Sequence, residues 1–202
     1  MNTKMYLIAI MSFICTLSMA EEWQPGPGFT SLFNGKDLSG WCFRDRGNES
    51  STKGEITAVF NGETESNDKG RYSAKDGILT VNYPEGVKRL ISRLDTVKEF
   101  TGDLILKLEF RASVNADSGV FIRQRQLQCR DYLVAGPYKE LKQYKPQEWN
   151  QIEVVVKDNI ATCTCNGELL EAALKVPAKG PIALEGDRGQ MEYRRIQIKM
   201  LD

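Results

Sequence analysis

Hydrophobic and polar positions alternate along several short stretches of the chain, most regularly in residues 103–111. The two alternating sets are Leu104, Leu106, Leu108 and Phe110 on one side and Ile105, Lys107, Glu109 and Arg111 on the other. Successive side chains of a β-strand point to opposite faces, so this pattern predicts a strand with one buried face. Similar patterns predict further strands at residues 29–33, 55–60, 78–81, 90–94, 120–124, 149–157, 160–165, 168–170, 181–184 and 192–199.

Turn sequences separate these predicted strands. They include Asn34-Gly35, Asp76-Gly77, Asp158-Asn159 and Asn166-Gly167, and Asn, Asp and Gly are the residues that tight hairpin turns favour. No amphipathic helix is indicated beyond the first 20 residues. Roughly ten short strands joined by turns predict an all-β fold, a two-sheet jelly-roll sandwich. Residues 21–202 show no repeat and no linker, so we expect one domain.

The first 20 residues have the pattern of a signal peptide. Lys4 supplies a positive charge, residues 5–17 are mostly apolar, and Ser18-Met19-Ala20 places small residues before Glu21. The apolar run is shorter than the roughly 20 residues that a membrane helix needs. We therefore expect cleavage after Ala20 and export to the periplasm or the extracellular space. An uncleaved anchor is the alternative.

The charge balance argues against a nucleic-acid partner. The chain has 27 Lys and Arg against 27 Asp and Glu, and it has no His. Loss of the leader removes one Lys and no acid, which leaves a net charge of −1 and no general excess of basic residues. No stretch after the leader is apolar enough to cross a membrane.

Four cysteines follow the leader, which in an exported protein indicates disulfide bonds. They are Cys42, Cys129, Cys163 and Cys165. Cys163 and Cys165 are two residues apart on a predicted strand, so they point the same way and are not expected to bond each other. A bond from one of them to Cys129 or Cys42 fits this reasoning, and the pairing stays open. A four-thiolate metal site is the alternative, although the spacing lacks the usual paired cysteine motifs.

The segment at residues 32–41, Leu-Phe-Asn-Gly-Lys-Asp-Leu-Ser-Gly-Trp, resembles the opening motif of the 3-keto-disaccharide hydrolase family. Further segments resemble the family in the same order, at residues 108–111, 117–123, 148–156, 166–167, 180–185 and 191–196. The resemblance covers most of residues 28–200. It implies a concanavalin A-like jelly-roll fold, as in lectins and glucanases, and an activity on 3-keto-glycosides.

The chain departs from the family pattern at two places. Family members commonly carry a Tyr-Glu-x-Gln-like strand after a Ser-Gly-x-x-x-Arg segment, and we assign that region here to residues 130–135, which contain no Glu. A His is common near the closing strands, where this chain has Glu185-Gly186-Asp187-Arg188. The two departures argue against any family mechanism or metal site that depends on that Glu or on that His.

The candidate catalytic residues are the carboxylates Glu109, Glu185 and Asp187. Two carboxylates on one face would permit ordinary glycoside hydrolysis. On a 3-keto sugar a single base would suffice, because the ketone acidifies the C2 proton, and an Arg would stabilise the enolate. The candidate substrate-binding residues are Lys107, Arg111, Arg123, Tyr132 and Tyr138, with the tyrosines as an aromatic platform. The simpler alternative is that these carboxylates are surface acids, with Glu109 and Arg111 in a weak ion pair.

These residues predict an exported protein with a saccharide or glycoside ligand. The leading interpretation is a hydrolase or lyase of the 3-keto-disaccharide hydrolase type, and the alternative is a carbohydrate-binding module of the same fold without catalysis. No cofactor is indicated except calcium at the turn residues Asp117, Asp158 and Asn159, which more commonly form local hydrogen bonds. The sequence leaves the oligomeric state open.

Overall fold

The computed structural model describes residues 23–45, 54–83, 91–134 and 137–201. The predicted leader at residues 1–20 lies outside the described residues, as does Leu90 of the strand predicted at 90–94. Within the described ranges no helix is long and apolar enough to traverse a bilayer.

The described part of the chain is built almost entirely from β-strands. In chain order they are β1 Thr30–Ser31, β2 Trp41–Arg44, β3 Ile56–Val59, β4 Tyr72–Lys75, β5 Ile78–Val81, β6 Ser92–Thr96, β7 Phe100–Thr101, β8 Leu104–Ala112, β9 Gly119–Ile122, β10 Arg125–Gln128, β11 Asn150–Lys157, β12 Ile160–Cys165, β13 Glu168–Lys175, β14 Lys179–Gly180, β15 Ile182–Gly186 and β16 Met191–Met200. A single 3-10 turn, Pro137–Glu140, is the one helical element among these residues.

The strands form two large antiparallel sheets. The first has the order β13-β12-β11-β8-β16-β5-β4, with β1 added beside β16, and the second has the order β10-β9-β15-β6-β2-β3. The short strands β7 and β14 pair separately. Most neighbours in the second sheet are distant in sequence, so the chain crosses repeatedly between the sheets, as in a jelly roll. The predicted all-β jelly-roll sandwich is confirmed.

The core lies between the sheets because each sheet turns one set of alternating side chains inward. Leu106 and Leu108 of β8 and Leu184 of β15 are almost completely buried, and residues next to each in sequence point outward. Burying a Leu side chain contributes about 1.5–3 kcal/mol. The same alternation therefore defines an outer face on each sheet, where the charged residues of β8 and β15 lie.

Several hairpins turn through two residues that both have positive φ. This holds for Asp76-Gly77, Asp158-Asn159 and Asn166-Gly167, as the sequence predicts, and for Arg123-Gln124, which it did not. Such turns match the twist of the strands that they join. The Arg123-Gln124 turn is important for the site, because it leads into β10, a strand that our sequence assignment missed.

The four cysteines after the leader are free and buried. Cys163 and Cys165 both face the core from β12, so the prediction that they point the same way is confirmed. The structure forms no disulfide from either of them to Cys129 or Cys42. A free Cys behaves as a small apolar side chain, which accounts for Cys129, Cys163 and Cys165 in the hydrophobic core. Cys42 lies outside that core, opposite Asp95 of β6.

Candidate functional site

The charged stripe predicted on β8 lies on the outer face of the first sheet, where neighbouring strands pair with it. Lys107 Nζ lies 2.6 Å from Glu153 Oε2 of β11. Glu109 Oε2 accepts a hydrogen bond of 2.6 Å from Arg194 Nε of β16. Arg111 Nε donates to Oε2 of Glu192, also on β16, at 2.5 Å. These three residues therefore belong to a ladder of cross-strand ion pairs, and Glu109 and Arg111 pair with β16 rather than with each other.

Trp149 lies beside this ladder and is only partly buried. The Arg194 guanidinium carbon lies 4.0 Å from the centre of a Trp149 ring, and that of Arg111 lies 4.9 Å away. Stacking of this kind holds both guanidinium groups against the sheet. Trp41, by contrast, is completely buried.

Tyr132 and Tyr138 are not an aromatic platform for sugars, so this prediction is wrong. Both are at least 93% buried, and their rings pack against each other with centres 5.5 Å apart. The Tyr132 hydroxyl donates to the carbonyl oxygen of Gln128 at 2.7 Å, and that of Tyr138 to the Glu171 carboxylate. Burial raises the pKa of both hydroxyl groups above the usual range.

Arg123 is also placed differently from its predicted role. It is fully buried at the β9–β10 turn and donates to the carbonyl oxygen of Gly102. Burial lowers its pKa, while the charge of Asp103 acts in the opposite direction. A side chain with no exposed surface does not contact a ligand on the face of the sheet, so Arg123 is a structural residue.

Glu185 lies on the outer face of the second sheet. Its neighbour Leu184 faces the core, so Glu185 points the other way, and its Oε2 accepts a hydrogen bond of 2.6 Å from Gln126 Nε2 of β10. Gly119 makes room for this bond, because a Cβ atom there would lie 2.6 Å from the Gln126 side chain. The backbone is fixed too, since Ser118 Oγ donates to the Glu185 carbonyl oxygen at 2.5 Å.

Gln126 corrects our assignment of the family's Tyr-Glu-x-Gln-like strand. The strand that follows Ser118 to Arg123 is β10, Arg125–Gln128, and not the segment at residues 130–135. Gln126 occupies the Glu position of that pattern, and Gln128 occupies its Gln position. By this resemblance an amide stands at the Glu position of the motif, and that amide donates to the carboxylate of Glu185.

Arg93 is the site residue that sequence reasoning missed. It is 8% exposed on β6, directly opposite Glu185 across the strand pair, and its guanidinium carbon lies 3.9 Å from the centre of the Phe121 ring. Its Nε is buried without a hydrogen-bond partner. A buried guanidinium nitrogen without a hydrogen-bond partner is costly and marks a candidate point of contact with a ligand.

Asp95 lies two residues further along β6 and shares this face. Its carboxyl is almost completely buried opposite Ala183 and Cys42. Together Arg93, Asp95, Phe121, Gln126 and Glu185 place two carboxylates, a cation, an amide and an aromatic ring on one sheet face. We call these five residues the Glu185 site.

Asp187 follows the end of β15 and is 9% exposed. It lies near the buried Arg71, whose pKa is lowered mainly by burial and raised in part by the charge of Asp187. Arg71 occupies the space beside Gly186, where a Cβ atom would come within 2.6 Å of its Nη2. Asp187 therefore belongs to the end of the sandwich next to the Glu185 site.

The predicted carboxylates Glu109 and Glu185 do not converge. Glu109 lies on the outer face of the first sheet and Glu185 on the outer face of the second, with the hydrophobic core between them. A two-carboxylate mechanism that uses this pair is therefore excluded by the fold.

Two of the turn residues considered for calcium make other contacts, Asp117 through its carboxylate and Asp158 through its backbone N–H. Asp117 Oδ2 accepts from Arg188 Nη2 at 2.9 Å, and Asp158 N–H donates to Asp103 Oδ1 at 2.9 Å. No group of three metal-ligating side chains is found in the ranges 23–45, 54–83, 91–134 and 137–201.

The Glu185 site has the groups that sugar chemistry requires. A carboxylate held by an amide can accept a proton, and an Arg at the neighbouring strand position can stabilise a developing oxyanion. Phe121 fixes the plane of that guanidinium. The arrangement is on rigid strands rather than on loops, which favours a defined geometry.

Solved structures similar to this chain share its fold. One is a protein from Parabacteroides distasonis provisionally named a glycosyl hydrolase, with 19% identity, a TM-score of 0.60, and coverage of 87% of this chain and 95% of that one. Another was described with endo-acting O-glycanases that members of the human gut microbiota express to initiate mucin breakdown; its identity is 9%, its TM-score 0.51 and its coverage 86% and 98%. At these identities the similarity establishes the fold alone.

The sequence comparisons define the family. No curated protein matches the chain. A family model, described as the 3-keto-alpha-glucoside-1,2-lyase-like domain, matches residues 28–199, which confirms the resemblance seen in the motifs. The chain therefore belongs to the 3-keto-alpha-glucoside-1,2-lyase-like domain family.

Proposed function

We propose that this protein is a carbohydrate-active enzyme that cleaves 3-keto-glycosides at the Glu185 site. The observation that carries the proposal is the buried Arg93, whose Nε has no hydrogen-bond partner, directly opposite a carboxylate that Gln126 holds in place. Family membership supports the substrate class. The sugar-cleaving neighbours of the same fold agree with a glycoside as ligand.

In this proposal Glu185 is the base. Its carboxylate removes the proton at C2 of the sugar, which the C3 ketone makes acidic, and the electron pair of that C–H bond forms an enolate. The enolate then collapses as the C1–O bond breaks, and the leaving aglycone oxygen takes a proton from the protonated Glu185. Water adds across the resulting C1–C2 double bond and gives the free 3-keto sugar.

Arg93 stabilises the enolate oxygen. Charge-assisted hydrogen bonds to a developing oxyanion are strong where water is excluded, and Arg93 is largely buried before substrate arrives. Because its guanidinium is stacked on Phe121, little reorganisation is needed. On the same face the Gln126 amide, which is only partly buried, binds the sugar hydroxyl groups.

A second candidate function is carbohydrate binding without catalysis. It is favoured by the amide at position 126, where the family pattern has a carboxylate, and by the absence of His from the whole chain. In this case Arg93, Gln126 and Glu185 would recognise a sugar that is not cleaved. Binding and turnover therefore have to be measured on the same variants.

The test is the release of a coloured aglycone from a 3-keto-glucoside. We expect Glu185→Gln and Arg93→Gln each to lower kcat by about 10²-fold or more, the size typical of a lost base or oxyanion donor. Glu109→Gln is the control, because it removes a carboxylate from the opposite face, and it should keep the wild-type rate. Sugar binding without release from any 3-keto-glycoside would establish the binding module instead.

We further propose that residues 1–20 direct export to the periplasm or the extracellular space. The charge, the apolar run and the small residues before Glu21 support this. The mass of the protein recovered from expressing cells should correspond to a chain that starts at Glu21. A recovered protein that keeps Met1 to Ala20 would contradict cleavage.

A further inference from the structure

A cleft lies on the opposite side of the molecule from the Glu185 site, against the outer face of the first sheet. Its volume is about 590 Å³, and its lining includes Trp23, Phe33, Asn34, Asp76, Arg194 and Arg195. The lead-in to β1, the turn after Phe33 and the β4–β5 turn form its walls. We call it the Arg195 cleft. The proposed reaction uses none of these residues.

A β-bulge in β16 puts two consecutive Arg side chains on the same face. Arg194 pairs with Glu109 of β8, and the next pair along the strands is Gln197 with Lys107, so β16 contains an extra residue here. Arg195 has a φ of 53°, a left-handed conformation that costs a non-Gly residue roughly 1–2 kcal/mol. In a regular strand Arg194 and Arg195 would point to opposite faces.

The two guanidinium groups share a single carboxylate. Arg194 Nε lies 2.6 Å from Glu109 Oε2, and Arg195 Nη1 lies 2.9 Å from Glu109 Oε1. The adjacent Arg111 is paired with Glu192 and so adds no net charge. These two Arg therefore carry two positive charges for the one negative charge of Glu109, and the other charged lining residues, Lys36 and Asp76, are of opposite sign. The Arg195 side chain is 44% exposed, so the side of its guanidinium group that does not contact Glu109 is accessible to a ligand.

The cleft is held in shape by backbone hydrogen bonds. Gly26 N–H donates to Gln197 Oε1 at 2.9 Å, which fixes the lead-in against β16. Gly77 N–H donates to the carbonyl oxygen of Gly35 at 2.9 Å, which joins the two turns. Trp23 is only partly buried in the wall, so an aromatic surface and a guanidinium face the same preformed space.

We propose that the Arg195 cleft binds a sugar that bears a carboxylate, that is, a uronic acid residue. The ligand carboxylate supplies the second negative charge and forms a bidentate contact with Arg195, a geometry that suits the planar guanidinium. The pyranose ring packs on Trp23, and Asn34 and Asp76 are within the cleft to contact its hydroxyl groups. The left-handed backbone conformation of Arg195 is retained despite its energetic cost, because it places the second guanidinium group in the cleft.

Calorimetric titrations with methyl glucuronide, methyl glucoside and acetate test this proposal. We expect the glucuronide to bind with a Kd at least about tenfold lower than that of either other probe, because a charge-assisted contact and the ring contact are both needed. Arg195→Asn removes the guanidinium and keeps a residue that tolerates positive φ, and it should weaken glucuronide binding about tenfold. Trp23→Ala should weaken glucuronide more than acetate.

Arg125→Asn is the matched control, because Arg125 is exposed on β10 of the other sheet and donates to the carbonyl oxygen of Lys175. It should leave glucuronide binding unchanged, and so should Arg93→Gln, which separates this cleft from the Glu185 site. Equal affinity for glucuronide and glucoside, equal affinity for glucuronide and acetate, no binding of glucuronide, or unchanged binding by a folded Arg195→Asn variant would each overturn the proposal.

Discussion

At the scale of single residues, the Glu185 site depends on a carboxylate and an amide on neighbouring strands. The family pattern places a Glu in the strand after Ser-Gly-x-x-x-Arg, whereas here that position is Gln126, hydrogen-bonded to Glu185 at 2.6 Å. The two side chains meet at one point of the sheet face. We propose that the site needs one carboxylate at this point and that either strand can supply it.

Exchange of the two side chains tests this directly. Glu185→Gln alone should lose aglycone release, because it leaves two amides at this point. The double variant Gln126→Glu/Glu185→Gln restores one carboxylate and should recover about tenfold or more of the lost rate. Gln126→Glu alone, with two adjacent carboxylates, serves as the comparison. A double variant as inactive as Glu185→Gln would show that the strand of origin matters.

Sequence reasoning found Glu185 but not its partners, for physical reasons. Arg93 lies in a short stretch of alternating polar and apolar residues, and this pattern does not show which strand pairs with β6. Only the pairing of β6 with β15 places Arg93 opposite Glu185. Tyr132 looked like a sugar platform because an aromatic residue with a hydroxyl fits both a surface and a core. Its burial depends on packing against Phe110 and Tyr144, which are distant in sequence.

At the scale of elements, a strand could be predicted where one of its faces is buried and the other is polar. β8 shows strict alternation and was predicted within a residue at each end. β10 carries a single apolar residue in Arg-Gln-Leu-Gln, and β2 begins with two buried residues in a row, so neither gives a period of two. The bulge in β16 was also beyond prediction, because only pairing with β8 reveals the extra residue.

The alternation of β8 also predicts the effect of mutations on stability. Leu106 is completely buried and packs between the sheets, so Leu106→Ala should lower the free energy of unfolding by about 2–5 kcal/mol. Leu169 of β13 is 55% exposed, and Leu169→Ala should change it by less than about 0.5 kcal/mol. Urea denaturation followed by tryptophan fluorescence measures both. Similar losses for the two variants would contradict the assigned inner face.

At the scale of the whole molecule, the core contains protonated groups that resist ionisation. Burial raises the pKa of the Cys163 and Cys165 thiols to about 12, from an ordinary value of 9.0. Burial also raises the pKa of the Tyr132 and Tyr193 hydroxyl groups well above their usual range. These acids ionise more readily in the unfolded chain, so high pH favours unfolding.

The thiols therefore predict a loss of stability in alkali. Their stabilising contribution is complete below pH of about 9 and is lost as the pH rises towards about 12. The urea concentration at half-unfolding should decrease as the pH is raised from about 8.5 to about 11, because the thiols ionise more readily in the unfolded chain over this range. It should decrease less steeply in a Cys163→Ala/Cys165→Ala variant. A midpoint independent of pH over this interval would show that the thiols are already exposed in the folded protein.

The sandwich also separates two outer faces that serve different ligands in our proposals. The family motifs that surround Ser118, Glu185 and Asp187 meet on the second sheet, whereas the stripe on β8 forms ion pairs on the first. Periodicity predicts the face of its own sheet on which a residue lies. It does not predict which sheet a strand joins, and this is why Glu109 and Glu185 were grouped together.

The most direct measurement is a map of backbone amide NMR shifts as a neutral 3-keto-glucoside is added to the Glu185→Gln variant, which should bind the sugar without cleaving it. We predict that the largest shifts occur in β6, β9 and β15, around Arg93, Phe121 and position 185, and that β8 and β11 are unchanged. Shifts confined to β8 and β16, around Glu109 and Arg194, would contradict the assignment of the active face to the second sheet.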